Sequence, residues 1–175
     1  MRQLPRPLRV AAAGLLLLAI WQIGGGLYIH LKAQLAQVLL ARAWAATLAG
    51  GQEERPWAWA DTWPVARLTV PALGVDEIVL AGDSGRTLAF GPGHLSNTPL
   101  PGKLGHSILG GHRDTHFAFL QGLKPGMTLA VQRQDGQWQD YQVTASEIMD
   151  HRQARLLPAE GRTVLSLATC YPFDS

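Results

Sequence analysis

Residues 105–117 read Gly105-His106-Ser107-Ile108-Leu109-Gly110-Gly111-His112-Arg113-Asp114-Thr115-His116-Phe117. A short apolar strand runs into a double glycine and then into a dense polar cluster. Strand ends and the loops beyond them are where functional sites are usually placed. A glycine there lets another backbone or a ligand approach closely. The spacing of four between His112 and His116 would put both on one face of a helix, but Gly110-Gly111 and the local β texture argue against a helix.

A second stretch, Val164-Leu165-Ser166-Leu167-Ala168-Thr169-Cys170-Tyr171-Pro172, has the same form. A buried-looking strand delivers the single cysteine to its end, just before a proline that stops regular pairing. Around these two stretches, short apolar runs alternate with turn residues. Strands are predicted over 66–70, 77–81, 107–110, 128–132, 141–148 and 163–169. Breaks fall at 73–76, Pro92-Gly93, Pro101-Gly102, Pro125-Gly126 and Asp135-Gly136. Many short strands with such punctuation predict an all-β barrel or sandwich, and Asp135-Gly136 reads as a hairpin turn.

Further out the texture changes. Residues 32–48 are rich in strong helix formers, with apolar positions 35, 38, 39 and 46 tracing a helical stripe. Gly50 and Gly51 end that helix. Residues 52–61 form a linker containing Pro56, Trp57 and Trp59. Upstream, residues 10–31 read VAAAGLLLLAIWQIGGGLYIHL, with no formally charged side chain. Their length suits a helix crossing a hydrocarbon core of roughly 30 Å. A cleaved signal peptide would have a shorter apolar region, about 7–15 residues, so an uncleaved signal anchor is favoured. Arg2, Arg6 and Arg9 precede the span, which predicts a cytoplasmic N-terminus and a main domain outside. The organisation expected is an n-region and anchor over 1–31, helix and linker over 32–62, and one domain over 63–175.

The chain has 175 residues, 47% of them hydrophobic and 16% charged, with a net charge of +2. This permits a packed core and argues against broad disorder. No basic cluster interleaved with aromatics provides a footprint for nucleic acid. One cysteine excludes an intramolecular disulfide. A lone thiol outside the cytoplasm is a candidate reactive group, although such a residue also serves as a small buried hydrophobe. A cysteine and a histidine form a nucleophile pair when an imidazolium lowers the thiol pKa from about 8.5. Six histidines are available, and residue type alone does not choose among them. His106, His112, His116 and Cys170 are also ligand types suited to zinc, the lesser reading. The carboxylates show no informative spacing, there is no phosphate-binding glycine loop, and no cofactor is expected.

At these residues the chain resembles the sortase family. The pieces are Gly91-Pro92-Gly93-His94-Leu95, Thr98-Pro99-Leu100-Pro101-Gly102, the stretch from Gly105 to Thr115, and Leu167-Ala168-Thr169-Cys170, in that order and spacing. The anchor, helix and Trp-rich linker, with the Cys-Tyr-Pro-Phe-Asp ending, are most similar to the class found in Gram-negative bacteria, class GN. The resemblance implies an eight-stranded β-barrel and an active site of His, Cys and Arg. The histidine maps onto His112 and the cysteine onto Cys170, whereas His94 matches a recurrent position without a catalytic step. The implied reaction is cysteine transpeptidation. The thiolate attacks the Thr–Gly carbonyl of an LPXTG-like sorting signal, a thioester forms, and an amine resolves it. The implied partners are a surface or secreted protein carrying that signal, an amine acceptor and the inner membrane, with the catalytic domain on the extracytoplasmic side.

One departure is expected. The family's arginine lies on a strand after the cysteine, and this sequence stops five residues past Cys170. Arg113, Arg152, Arg155 and Arg162 all precede it. The expectation is therefore a C-terminally incomplete barrel with an exposed edge, either a fragment or a defective copy. The alternatives carried are a cysteine hydrolase of surface proteins and a non-catalytic membrane-tethered β-domain.

Overall fold

Helix and strand signals in the sequence resolve into one long helix followed by short strands. The structure is a computed structural model and describes residues 5–150, 152, 159 and 161–173. Helix α1 spans Arg6–Leu48. The strands are β1 (Pro64–Val70), β2 (Val75–Ala81), β3 (Gly93–His94), β4 (Gly105–Gly110), β5 (Thr128–Arg133), β6 (Trp138–Gln142) and β7 (Thr163–Ala168), with a one-turn helix α2 (Gly85–Leu88) before β3.

The chain falls into two units, one ending at Gln37 and the other beginning at Val38. In the first, Leu15, Leu16, Leu17, Ile20, Trp21, Ile23, Leu27 and Ile29 are all exposed. From Gly14 onward α1 is long and apolar enough to cross a membrane, with a mean hydropathy of 1.5. In the second unit, the end of α1 buries Leu40, Ala43, Trp44 and Thr47, a spacing of three and four that defines one helical face. This corrects the stripe expected at 35, 38, 39 and 46, because Leu35 and Val38 are exposed. An Ala/Leu-rich helix is apolar nearly all round, so its composition does not fix which face turns inward. The helix stops in a Schellman arrangement. Gly50 N donates to Thr47 O and Gly51 N to Ala46 O, at 3.0 and 3.1 Å, with Gly50 at φ +101°, a conformation that favours glycine.

Among the described residues seven strands form a single sheet in the order β6-β5-β1-β2-β3-β4-β7, curled into a nearly closed barrel with β6 and β7 as its edges. β1 pairs antiparallel with both β2 and β5. β2 and β3 are parallel, β3 and β4 antiparallel, and β4 and β7 parallel. The core lies inside the barrel, where Val65, Leu68, Val70, Val79, Leu109, Phe117, Leu129 and Val131 pack together. Each such side chain, fully buried, contributes on the order of 1.5–3 kcal/mol.

The Asp135-Gly136 hairpin joins β5 to β6 as expected, with Gly136 at φ +80° and Gln132 paired with Trp138. The strand expected over 141–148 is earlier and shorter. The tight turn starts pairing at Trp138, and the last rungs are Val143 N to Met127 O and Gly126 N to Val143 O, each at 2.9 Å. Residues beyond have no facing strand, because the chain opposite them bends at Pro125-Gly126. β3, two residues long, carries no period that a sequence reading could detect.

Candidate active site

β4 and β7 pair in parallel register from Gly105↔Thr163 to Gly110↔Ala168. The pairing continues one step past both strand ends. Gly111 N donates to Ala168 O at 3.2 Å, and the Thr169 hydroxyl donates to Gly111 O at 2.7 Å. His112 and Cys170 come next, each two residues beyond the last registered pair. Adjacent strands lie about 4.7–4.9 Å apart, so equal offset along a parallel pair places the two residues at the same end of the β4–β7 ladder. Both are exposed.

The loop that carries His112 is folded by its own sequence. Thr115 N and Phe117 N donate to His112 O at 3.4 and 3.0 Å, and the turn drops Phe117 into the core, where it is fully buried. A Cβ on Gly111 would lie 2.6 Å from the Phe117 ring, so this close approach requires the glycine. A 3-10 helix, Ala118–Gly122, follows, so there is no α-helix here to align His112 and His116. His116 instead turns toward β2, with Nδ1 2.9 Å from Glu77 Oε2 and both side chains largely buried. Arg113 reaches the opposite way. Its Nε donates to Asp114 Oδ1 at 3.1 Å, and its Nη1 donates to the carbonyl of Pro172, on the chain leaving Cys170.

His94 and His106 are engaged elsewhere. His94 is buried, and its Nε2 lies 3.0 Å from Pro99 O and 3.1 Å from Thr98 Oγ1. Thr98 donates its own proton to Leu95 O at 2.8 Å, so the imidazole is the donor and its proton sits on Nε2. His94 thus staples the 95–99 loop. His106 Nε2 is 2.7 Å from Ser166 Oγ, across β4 and β7. Among the described residues no three His, Cys, Asp or Glu side chains gather as a metal site would require. His30 lies on α1, and His151 and Arg155 lie outside the described residues. Tyr171, Pro172 and Phe173 are the described residues after Cys170, and none is an arginine.

Sequence reasoning found the two strand ends but missed the ties that hold them together. The acceptors used by Thr169 and Arg113 are backbone carbonyls, which leave no mark in residue type. The Glu77–His116 contact joins residues 39 apart without any local signal.

A family model for the sortase domain matches residues 68–175. The chain belongs to the sortase family. Sortase A from Corynebacterium diphtheriae superposes with a TM-score of 0.59 at 26% identity, over 65% of this chain and 56% of that one. This chain therefore spans little more than half the length of that relative. Sortase C-3 from Streptococcus pneumoniae matches with a TM-score of 0.57 and 25% identity, over 80% and 76% of the two chains. A lid mutant of Streptococcus agalactiae sortase C1 gives 0.59 and 25%, over 77% of each. A search of curated proteins gave no match. The sortases are a family of cysteine transpeptidases.

Proposed function

We propose that this sortase is a membrane-anchored transpeptidase acting on an LPXTG-like sorting signal, with Cys170 as nucleophile and His112 as proton carrier. The observation that carries this reading is the equal offset of the two residues past the parallel β4–β7 register. The Cys170 thiolate attacks the Thr–Gly carbonyl and forms a C–S bond. The tetrahedral adduct collapses with rupture of the C–N bond, and His112 gives its proton to the departing glycine amine. An incoming amine then attacks the thioester, passes a proton to His112 and leaves Cys170 as thiolate. The substrate is a surface or secreted protein of a Gram-negative cell. The anchor is the apolar part of α1 in the inner membrane, with the barrel on the extracytoplasmic side.

Intact mass spectrometry tests this directly. Incubation with a threonine-glycine sorting peptide is expected to add an acyl mass to Cys170. The adduct should be absent in Cys170→Ala and at least tenfold slower to form in His112→Ala. A folded protein that gives no adduct with any such peptide rejects the reading. Turnover in the presence of added amines separates the outcomes further: an amide product is transpeptidation, and free acid alone is hydrolysis.

A further inference from the structure

Three contacts tie the chain bearing His112 to the chain bearing Cys170, each farther from the barrel than the last. The first two, Gly111 N to Ala168 O and Thr169 Oγ1 to Gly111 O, precede the pair. The third lies beyond it, from Arg113 Nη1 to Pro172 O. Cys170 is thus held from both sides, by its neighbour Thr169 and by the carbonyl two residues after it. The guanidinium is oriented for this task. Its Nε is bonded to Asp114 Oδ1, and its side chain is only 19% exposed, although Asp114 is 70% exposed. A planar, permanently charged fork held at two points loses little further freedom on forming each bond. Charge-assisted bonds of this kind are roughly twice as strong as neutral ones.

We infer that Arg113 is a positioning residue, which clamps the Cys170 chain onto the His112 loop so that thiol and imidazole stay within proton-transfer reach. This rests on the pairing of Cys170 with His112 proposed above. Arg113 differs in kind from the arginine that the family resemblance carries after the cysteine. It adjoins the histidine in the chain, it donates to Asp114 and to the Pro172 carbonyl, and it acts on chemistry through the alignment of two other groups. A misplacement of about 1 Å at such a site is enough to cost on the order of a hundredfold in rate.

The test uses the full chain and a readout that needs no substrate, the rate of Cys170 alkylation by iodoacetamide at pH 7. His112→Ala is expected to slow alkylation about tenfold, because the thiol loses the proton acceptor proposed beside it. Arg113→Met keeps the length of the stem and removes the donors, and it should slow alkylation by a similar factor. Arg113→Lys can still reach the Pro172 carbonyl and should recover most of the rate. With a sorting peptide, Arg113→Met should lower kcat at least tenfold with KM changed less than twofold. Should Arg113→Met fail to fold, Arg113→Gln, too short to span the gap, carries the same expectations. If His112→Ala slows alkylation and the folded Arg113 variant does not, the positioning role is wrong and the pair stands. If His112→Ala leaves the rate unchanged, the pair itself is wrong and the role of Arg113 falls with it.

Discussion

Gly111 sits one residue before His112, with no room for a side chain. An added Cβ would meet the Phe117 ring at 2.6 Å, and Phe117 is fully buried, so neither can retreat without moving the loop. Gly111→Ala is expected to cost about 1–3 kcal/mol in denaturant unfolding, the range for overpacking. Because the displaced loop carries His112, acylation of Cys170 should slow beyond what the stability loss explains. Tyr141 offers a second test. Its hydroxyl accepts from Gly102 N at 2.8 Å, and burial pushes the phenol above its usual value despite that bond. A raised pKa means that the contribution to stability is complete below about pH 10 and is lost as pH rises through the folded value. Tyr141→Phe should cost about 1 kcal/mol at pH 7, the usual net worth of a hydrogen bond. The mutant should also lack this tyrosine's share of the alkaline decline in thermal melting.

The β1–β2 pair shows how far an element is specified by its residues. Arg67 Nε and Nη2 donate to the two carboxylate oxygens of Asp76 at 2.6 and 2.5 Å, diagonally across the β1–β2 ladder, where Arg67 faces Ile78 and Asp76 faces Thr69. The guanidinium hydrogen bond holds the Asp76 carboxyl below its usual value, against the opposing effect of burial. Its stabilisation is therefore present above the ordinary carboxylate pKa and disappears as pH falls through the lowered one. Both side chains are substantially exposed, so Asp76→Asn should cost less than about 1 kcal/mol at pH 7. The gap to wild type should close in acid, as followed by thermal melts between pH 7 and pH 2. Elements of this kind were legible in the sequence where apolar runs met turn residues, as in β1, β2, β4, β5 and β7. The exceptions have physical causes. β6 is set by the geometry of its hairpin, β3 is too short to have a period, and the inward face of α1 is chosen by tertiary packing. The two strand ends were legible, and the family resemblance pointed to His112 and Cys170 there, but the proposed clamp through Arg113 depends on a backbone acceptor and was not legible.

At the scale of the whole molecule, a long apolar helix precedes the barrel, and the thiol is the only one in the chain. These two facts make the proposed topology measurable. In intact cells with a permeable outer membrane, a membrane-impermeant maleimide should label Cys170 as fully as it does after detergent lysis. Labelling only after lysis would put the barrel on the cytoplasmic side. The parallel β4–β7 ladder has a further consequence. Its partners lie 58 residues apart in the chain, and bringing such distant segments together is an intrinsically slow step in folding. On the proposed pairing, until β7 arrives His112 has no thiol beside it, and until β4 is in place the thiol has no imidazole to take its proton. The proposed nucleophile would then be completed only when the barrel has assembled around it. On the proposed topology, a chain still threading through the translocation machinery would carry a thiol without its proton acceptor.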